Sequence, residues 1–299
     1  MTGLLNVLKI PGMTSHDVVG FLRRLTGIRR IGHGGTLDPE AAGVLPVCIG
    51  YATKMISYLD HTRKTYRVEM LLGVETDTHD NYGKIICKNE TVPDENQIRM
   101  AALSFLGEYW QIPPMHSAVK VGGKKLYQLA RNNQEIERKP RMKQVFSIDR
   151  LIIQPPLVMF DVVCSEGTYV RTLCHDIGKM LGCGAAITFL LRMESCKLPL
   201  HESHTLAEIS NTEKSWHRCV IPVDHALTHY QRVQADETDE KRLRDGQCVS
   251  IPRHLDHLAM RAASNSKQLY RVYVSEKFVG LAHISSDGML KLARQMIDK

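Results

Sequence analysis

No Cys-x-x-Cys pair occurs among the eight cysteines of this 299-residue chain. Scattered from Cys48 to Cys248, they read as reduced, mostly buried thiols of a cytoplasmic protein, not as a disulfide framework. No run of eighteen apolar residues exists, so no membrane span is expected. The opening Met-Thr-Gly-Leu-Leu-Asn has no charged segment leading into an apolar one, so no secretory signal is expected. Internal repeats and low-complexity tracts are absent as well. Acid is in deficit: 32 Asp and Glu face 39 Lys and Arg, a net charge of +7, which suggests a polyanionic partner. The length allows two domains, or one large and one small, and 43% hydrophobic residues supply an ordinary core.

The most distinctive stretch runs from Gly32 to Pro46. It sets one carboxylate, Asp38, among four glycines and two prolines, between apolar runs. Glycine admits close approach of another molecule to the backbone, while proline fixes its own angle and restricts the residue before it. A stiff loop carrying one acid is expected. Taken alone, Asp38-Pro39 would more often be a helix N-cap followed by proline at the first helical position.

The periodicity predicts a strand over Gly3 to Ile10 and a helix capped by Thr14 or Ser15. A buried strand over Val44 to Ile49, a short helix over Tyr51 to Leu59 and a strand over Lys64 to Leu72 follow. Asp77 to Gly83 reads as a loop, and Asp94 caps a helix ending near Gly107. Ile112 to Lys143 is rich in cations, with a short helix at Leu126 to Ala130; it reads as a mobile basic arm closing over a polyanion. Two strands flank Pro155-Pro156, and a helix runs to Leu181. Another strand covers Ala185 to Met193, and a helix lies near Leu206 to Ile209. From about Tyr230 short strands separated by Gly and Pro suggest a small β-rich domain.

The stretch Gly32 to Pro46 closely resembles the signature Gly-His-x-Gly-x-Leu-Asp-Pro-x-Ala-x-Gly-x-Leu-Pro of the tRNA pseudouridine synthase B (TruB) family. Lys9 to Ser15 resembles that family's Lys-Pro-x-Gly-Met-Thr-Ser opening. Lys64-Thr65-Tyr66-Arg67-Val68, the segment Ile112 to Tyr127 and Gly167 to Leu173 match further motifs in the same order. Gly34 and Ala42 stand where Thr is usual, and Leu191 replaces the first arginine of a usual Leu-Arg-Arg.

The resemblance implies an α+β fold: a mixed, largely antiparallel sheet over residues 1–229 with an RNA-gripping insertion at about 112–143. A PUA-like RNA-binding module would occupy 230–299. It implies isomerisation of uridine to pseudouridine at position 55 in the T loop of tRNA, on a flipped-out base. Asp38 would be the nucleophile, with Tyr66 and Arg171 beside it, and His33, Tyr169, Leu190 and Lys9 would bind substrate. The reaction needs no redox change and no energy input, so no cofactor is expected. The partner would be the T arm of tRNA and the protein a monomer.

The residue types suit that chemistry. A carboxylate can attack the base or sugar, or stabilise cationic character at the ribose. A guanidinium holds the carboxylate charged and oriented through paired hydrogen bonds. Tyrosine can stack on an everted base or move a proton. Two other readings compete: a non-catalytic RNA-binding protein on the same scaffold, and a metalloprotein. The pairs His201/His204, His225/His229 and His254/His257 invite the latter, but 14 histidines produce such pairs by chance and no third ligand lies near; no metal is expected.

Overall fold

The structure, a computed structural model, describes every residue except 118, 133, 212–215, 253–254, 256, 259, 261–267 and 297–299, and of residues 124, 125, 127 and 131 the backbone alone. His254 lies outside the described residues. In chain order the chain forms β1 (Gly3–Lys9), α1 (Ser15–Thr26), β2 (Ile31–His33), β3 (Ala42–Ile49), β4 (Arg63–Leu72), β5 (Val74–Thr76), β6 (Ile85–Lys88), α2 (Glu95–Leu103) and β7 (Gly107–Gln111). The hairpin β8 (Lys120–Val121) and β9 (Lys124–Lys125) and α3 (Leu126–Arg131) precede β10 (Arg141–Gln154), β11 (Leu157–Ser165), α4 (Val170–Met180) and β12 (Ala185–Ser195). Short pieces β13 (Leu198–Pro199), β14 (His204–Thr205), α5 (Leu206–Asn211) and β15 (Val220–Ile221) follow. Last come β16 (Gln231–Gln234), α6 (Glu240–Arg244), β17 (Val249–Ser250), β18 (Tyr270–Val274), β19 (Lys277–Ile284) and β20 (Met289–Gln295).

The large sheet runs β14-β1-β3-β12-β4-β11-β10-β7. Its pairs are antiparallel except β1 with β14 and β3 with β12. This is the mixed, largely antiparallel α+β architecture expected. Strand β4 alternates: Tyr66, Val68, Met70 and Leu72 are buried, while Arg67 pairs bidentately with Asp161 on β11 at 2.7 and 2.8 Å. The buried face meets Leu173 and Ile177 of α4 and Ile98 of α2. Burying each such aliphatic side chain contributes roughly 1.5–3 kcal/mol. Both α1 and α2 start with reciprocal capping boxes, Thr14 with Asp17 and Asp94 with Gln97, each worth about 1 kcal/mol. Helix α4 starts differently: its N-cap, Tyr169, is extended and offers no side-chain cap.

The short helix expected over Tyr51 to Leu59 is a 3₁₀ helix, Gly50–Tyr58; the buried Ala52 and Met55 lie three apart, the spacing of a three-residue turn. Asp38 lies in a loop, as expected: no helix follows Asp38-Pro39, and a turn closes through the Ala41 N–H to the Asp38 carbonyl at 3.1 Å. Within Gly246–Pro252 only Val249 and Ser250 pair, against Leu290 and Met289.

Strands β16 to β20 form a second sheet in the order β16-β18-β19-β20-β17, with its own core around Val272, Tyr270 and Leu243. It is not loosely tethered. Leu281 and Phe278 pack into a cluster with Leu4 and Val44 of the large sheet and Met55 of the helix that follows β3. The Tyr273 hydroxyl donates to Asp224 Oδ2 at 2.6 Å, and Arg271 donates to the carbonyls of Tyr230 and Asp224 at 2.9 and 3.3 Å. Among the described residues, no helix is long and apolar enough to cross a membrane.

Candidate active site

The site forms at the parallel junction of β3 and β12, where Leu191 pairs with Ala42 and Arg192 with Gly43. The loop carrying Asp38 enters β3 there. It is fixed from four sides. The Gly34 N–H donates to the Pro46 carbonyl at 2.7 Å, and Gly12 N–H to the Pro39 carbonyl at 3.1 Å. Ser15 Oγ accepts from the Leu37 N–H at 2.9 Å and donates to its carbonyl at 3.1 Å. Lys9 Nζ donates to the carbonyls of Ile10, Met13 and Pro39 at 2.8–2.9 Å. Gly43 has φ +118°, and a Cβ there would lie 2.3 Å from the Arg192 carbonyl oxygen, so only glycine fits.

Asp38 meets Arg171 from the first turn of α4, with Nε to Oδ2 at 2.7 Å. The Arg171 side chain is 7% exposed and that of Asp38 is 37% exposed, so the cation is buried and the anion is reachable. The contact is a charge pair, not the paired hydrogen bonds anticipated, because Nε is off-axis to the carboxylate. The other guanidinium nitrogens are engaged elsewhere: Nη1 with the Thr78 carbonyl at 2.9 Å and Asp80 Oδ2 at 3.4 Å, Nη2 with the His116 carbonyl at 3.2 Å. Arg171 is thus pinned before it reaches Asp38.

Tyr66 is buried on β4 beside Arg192. Burial, above all, pushes its phenol up to about 12, and the Asp38 charge acts in the same direction. It is therefore a neutral phenol at physiological pH. Burial likewise raises Tyr169, with Asp38 adding to the effect and Arg171 opposing it. Leu190, 9% exposed, lies on β12 in the cluster containing Tyr66 and Leu37. His33 is half-buried at the end of β2, its basicity lowered by burial and by Arg192, with Nδ1 buried and unpartnered. Lys9 departs from expectation. It is fully buried, burial lowers it to about 8, and its three N–H groups are all spent on carbonyls, so it braces the loop from inside the protein.

Sequence reasoning missed four contributors. Arg192 is completely buried and donates to the carbonyls of Val44, Thr36 and Gly35 at 2.8, 3.1 and 3.2 Å. Asp80 and the His116 carbonyl hold Arg171. Gln111, 1% exposed, holds the Tyr169 backbone. For Arg192 a signal existed: it is the one arginine retained from the usual Leu-Arg-Arg. The other three carry no local pattern that distinguishes them.

The half-exposed carboxylate on its rigid loop thus has a buried guanidinium at its side and two tyrosines near enough to feel its charge. The fold matches that of Cbf5/TruB-type pseudouridine synthases. A solved H/ACA ribonucleoprotein bound to a substrate RNA containing 2'-deoxyuridine includes a chain similar at TM-score 0.72 and 23% identity, over 99% of this chain and 85% of that one. A Cbf5-Nop10-Gar1 complex gives TM-score 0.68 and 25% identity, over 99% and 84%. The class that the architecture defines is therefore the Cbf5/TruB-type pseudouridine synthase fold.

Sequence comparison narrows it. The family model "TruB family pseudouridylate synthase (N terminal domain)" matches residues 23–170, and "tRNA pseudouridylate synthase B C-terminal domain" matches 171–228. tRNA pseudouridine synthase B of Alkaliphilus oremlandii is 42% identical over 303 residues, all of both chains. That of Clostridium acetobutylicum is 43% identical over 96% of this chain and 97% of its own. That of Symbiobacterium thermophilum is 47% identical over 70% and 71%. The chain belongs to the TruB family of tRNA pseudouridine synthases.

Proposed function

We propose that this enzyme converts a uridine in the T loop of tRNA, at the conventional position 55, to pseudouridine, with Asp38 as nucleophile on an everted base. The reaction breaks the bond from uracil N1 to ribose C1' and forms one from C5 to C1'. A proton leaves C5 and one is gained at N1, so the product is an isomer and no oxidant or energy source enters. The observation that carries the reading is the 2.7 Å contact between the buried Arg171 and the reachable Asp38 on a loop fixed by backbone hydrogen bonds. The guanidinium lies against the carboxylate and fixes its orientation.

Tyr66, Tyr169 and Leu190 form the walls on which the uracil rests, and the neutral Tyr66 phenol serves as donor or stacking face. His33 fills the gap the base leaves in the RNA loop. Lys9, with its donors consumed within the protein, presents Asp38 without touching RNA. Residues 1–229 act as the catalytic domain, the insertion at about 112–143 grips the T arm, and residues 230–299 serve as a PUA-like RNA-binding module. The enzyme works as a monomer in the cytoplasm, where tRNA matures.

Incubating the purified chain with an unmodified tRNA transcript and mapping pseudouridine by site tests this. Pseudouridine at position 55 is expected with wild-type protein and none with Asp38→Ala, which still binds the transcript. Unchanged yield from Asp38→Ala, or modification outside the T loop, overturns the reading.

A further inference from the structure

Gln111 is the last residue of β7, and the basic insertion leaves the sheet immediately after it. The insertion returns at Arg141, which pairs with Gln111 across the β7–β10 ladder. The Gln111 side chain turns inward, away from the insertion it introduces. Its Oε1 accepts from the Tyr169 N–H at 2.8 Å, and its Nε2 donates to the Tyr169 carbonyl at 3.0 Å. The same Nε2 donates to the Tyr109 hydroxyl. One carboxamide thus binds both ends of a single residue's backbone, as a neighbouring strand would.

That residue is the N-cap of α4, which begins without a side-chain cap, unlike the α-helices α1 and α2. Its peptide sets the direction of the Tyr169 ring and the start of the turn that carries Arg171, two residues on. Packing alone does not fix a peptide plane, whereas two opposed hydrogen bonds to a side chain that is 1% exposed do. The following limb of the insertion adds a second hold, since the His116 carbonyl accepts from Arg171 Nη2 at 3.2 Å.

We propose that Gln111 is a positioning residue for the isomerisation: it aligns Tyr169 and, through the first turn of α4, Arg171 against Asp38, and it ties the foot of the RNA-gripping insertion to the catalytic helix. This rests on the reading that Tyr169 and Arg171 flank the reacting base. A buried glutamine that merely satisfied strand ends would affect stability alone; a positioning residue affects the rate of the bound complex.

The test uses the full-length enzyme and unmodified tRNA in single-turnover reactions, with rates expressed per folded molecule. Gln111→Met keeps the side-chain volume and removes all three hydrogen bonds; Gln111→Ala is made beside it. The expected result is a rate at saturating tRNA lower by about 10²-fold, the scale set by ångström-level misplacement of reacting groups, with tRNA affinity within about twofold of wild type, a change too small to count as lost binding. The effect of Gln111→Met should also be non-additive with Tyr169→Ala, because one residue acts through the other. A wild-type rate in Gln111→Met, a loss confined to affinity, or full additivity overturns the proposal. Asp38→Ala is run in parallel. If it is inactive while Gln111→Met is normal, only the positioning role fails; if it remains active, the nucleophile reading itself fails.

Discussion

At the scale of single residues, the site depends on a cation whose hydrogen-bonding capacity is divided. Arg171 reaches the Thr78 and His116 carbonyls, Asp80 and Asp38 at once. A lysine keeps the charge but has one nitrogen and no planar fork. Arg171→Lys should lower the single-turnover rate by about 10²-fold, as expected for misplaced reacting groups, while tRNA affinity stays near wild type; a rate within threefold of wild type would contradict this. A second prediction concerns acid. His79 stacks on His175 at 3.9 Å, and burial, with the charges of His175 and Arg171, lowers it to about 3. The unfolded chain takes up this proton near pH 6.5 and the folded chain resists it. Its contribution to stability is therefore complete above pH 6.5 and lost as pH falls toward 3. His79→Asn, a residue suited to the φ of +63° found there, should flatten the fall in urea midpoint between pH 7 and 4. Parallel slopes in the two proteins would refute it.

Elements show why the sequence was legible in some places and opaque in others. The alternation in Lys64 to Leu72, the Asp94 cap and the Leu173/Ile177 stripe are local patterns, and each became the element expected. Asp38 and Arg171 were legible as a pair only because they sit in matching motifs. The hold of Gln111 on Tyr169 spans 58 residues and that of Arg192 on Val44 spans 148, so no window along the chain contains either. The bidentate geometry assumed for Arg171 failed for the same reason: Asp80, 91 residues away, and the His116 carbonyl compete for it. The junction of β3 and β12 gives its own prediction. Gly43→Ala forces a side chain into the Arg192 backbone at φ +118°, a strain of about 1–3 kcal/mol. The denaturant midpoint should fall accordingly and activity should fall further, because the Asp38 loop enters β3 there. An unchanged midpoint would show that the junction can relax.

For the whole molecule, charge and attachment matter most. Lys120, Lys139 and Arg141 of the insertion stand on its exposed rim. Neutralising all three should reduce the slope of log affinity against log salt by about 2–3, through fewer released counterions; an unaltered slope would place the RNA elsewhere. The second sheet is bound to the first by Leu281, Phe278 and the Tyr273–Asp224 hydrogen bond. A chain ending at residue 229 would expose that apolar seam, and its melting temperature should drop by several degrees while the intact chain melts in one transition. Two resolved transitions in the intact protein would mean that the sheets are energetically independent.

The Arg192 clamp also has a bearing on synthesis. The loop that presents Asp38 is held by a guanidinium arriving 148 residues after Val44. While the ribosome is still making the first half of the chain, the acid has neither that support nor its Arg171 partner. A nascent fragment can carry Asp38 without being able to use it, so RNA close to the exit tunnel meets an unarmed polypeptide until translation has passed β12.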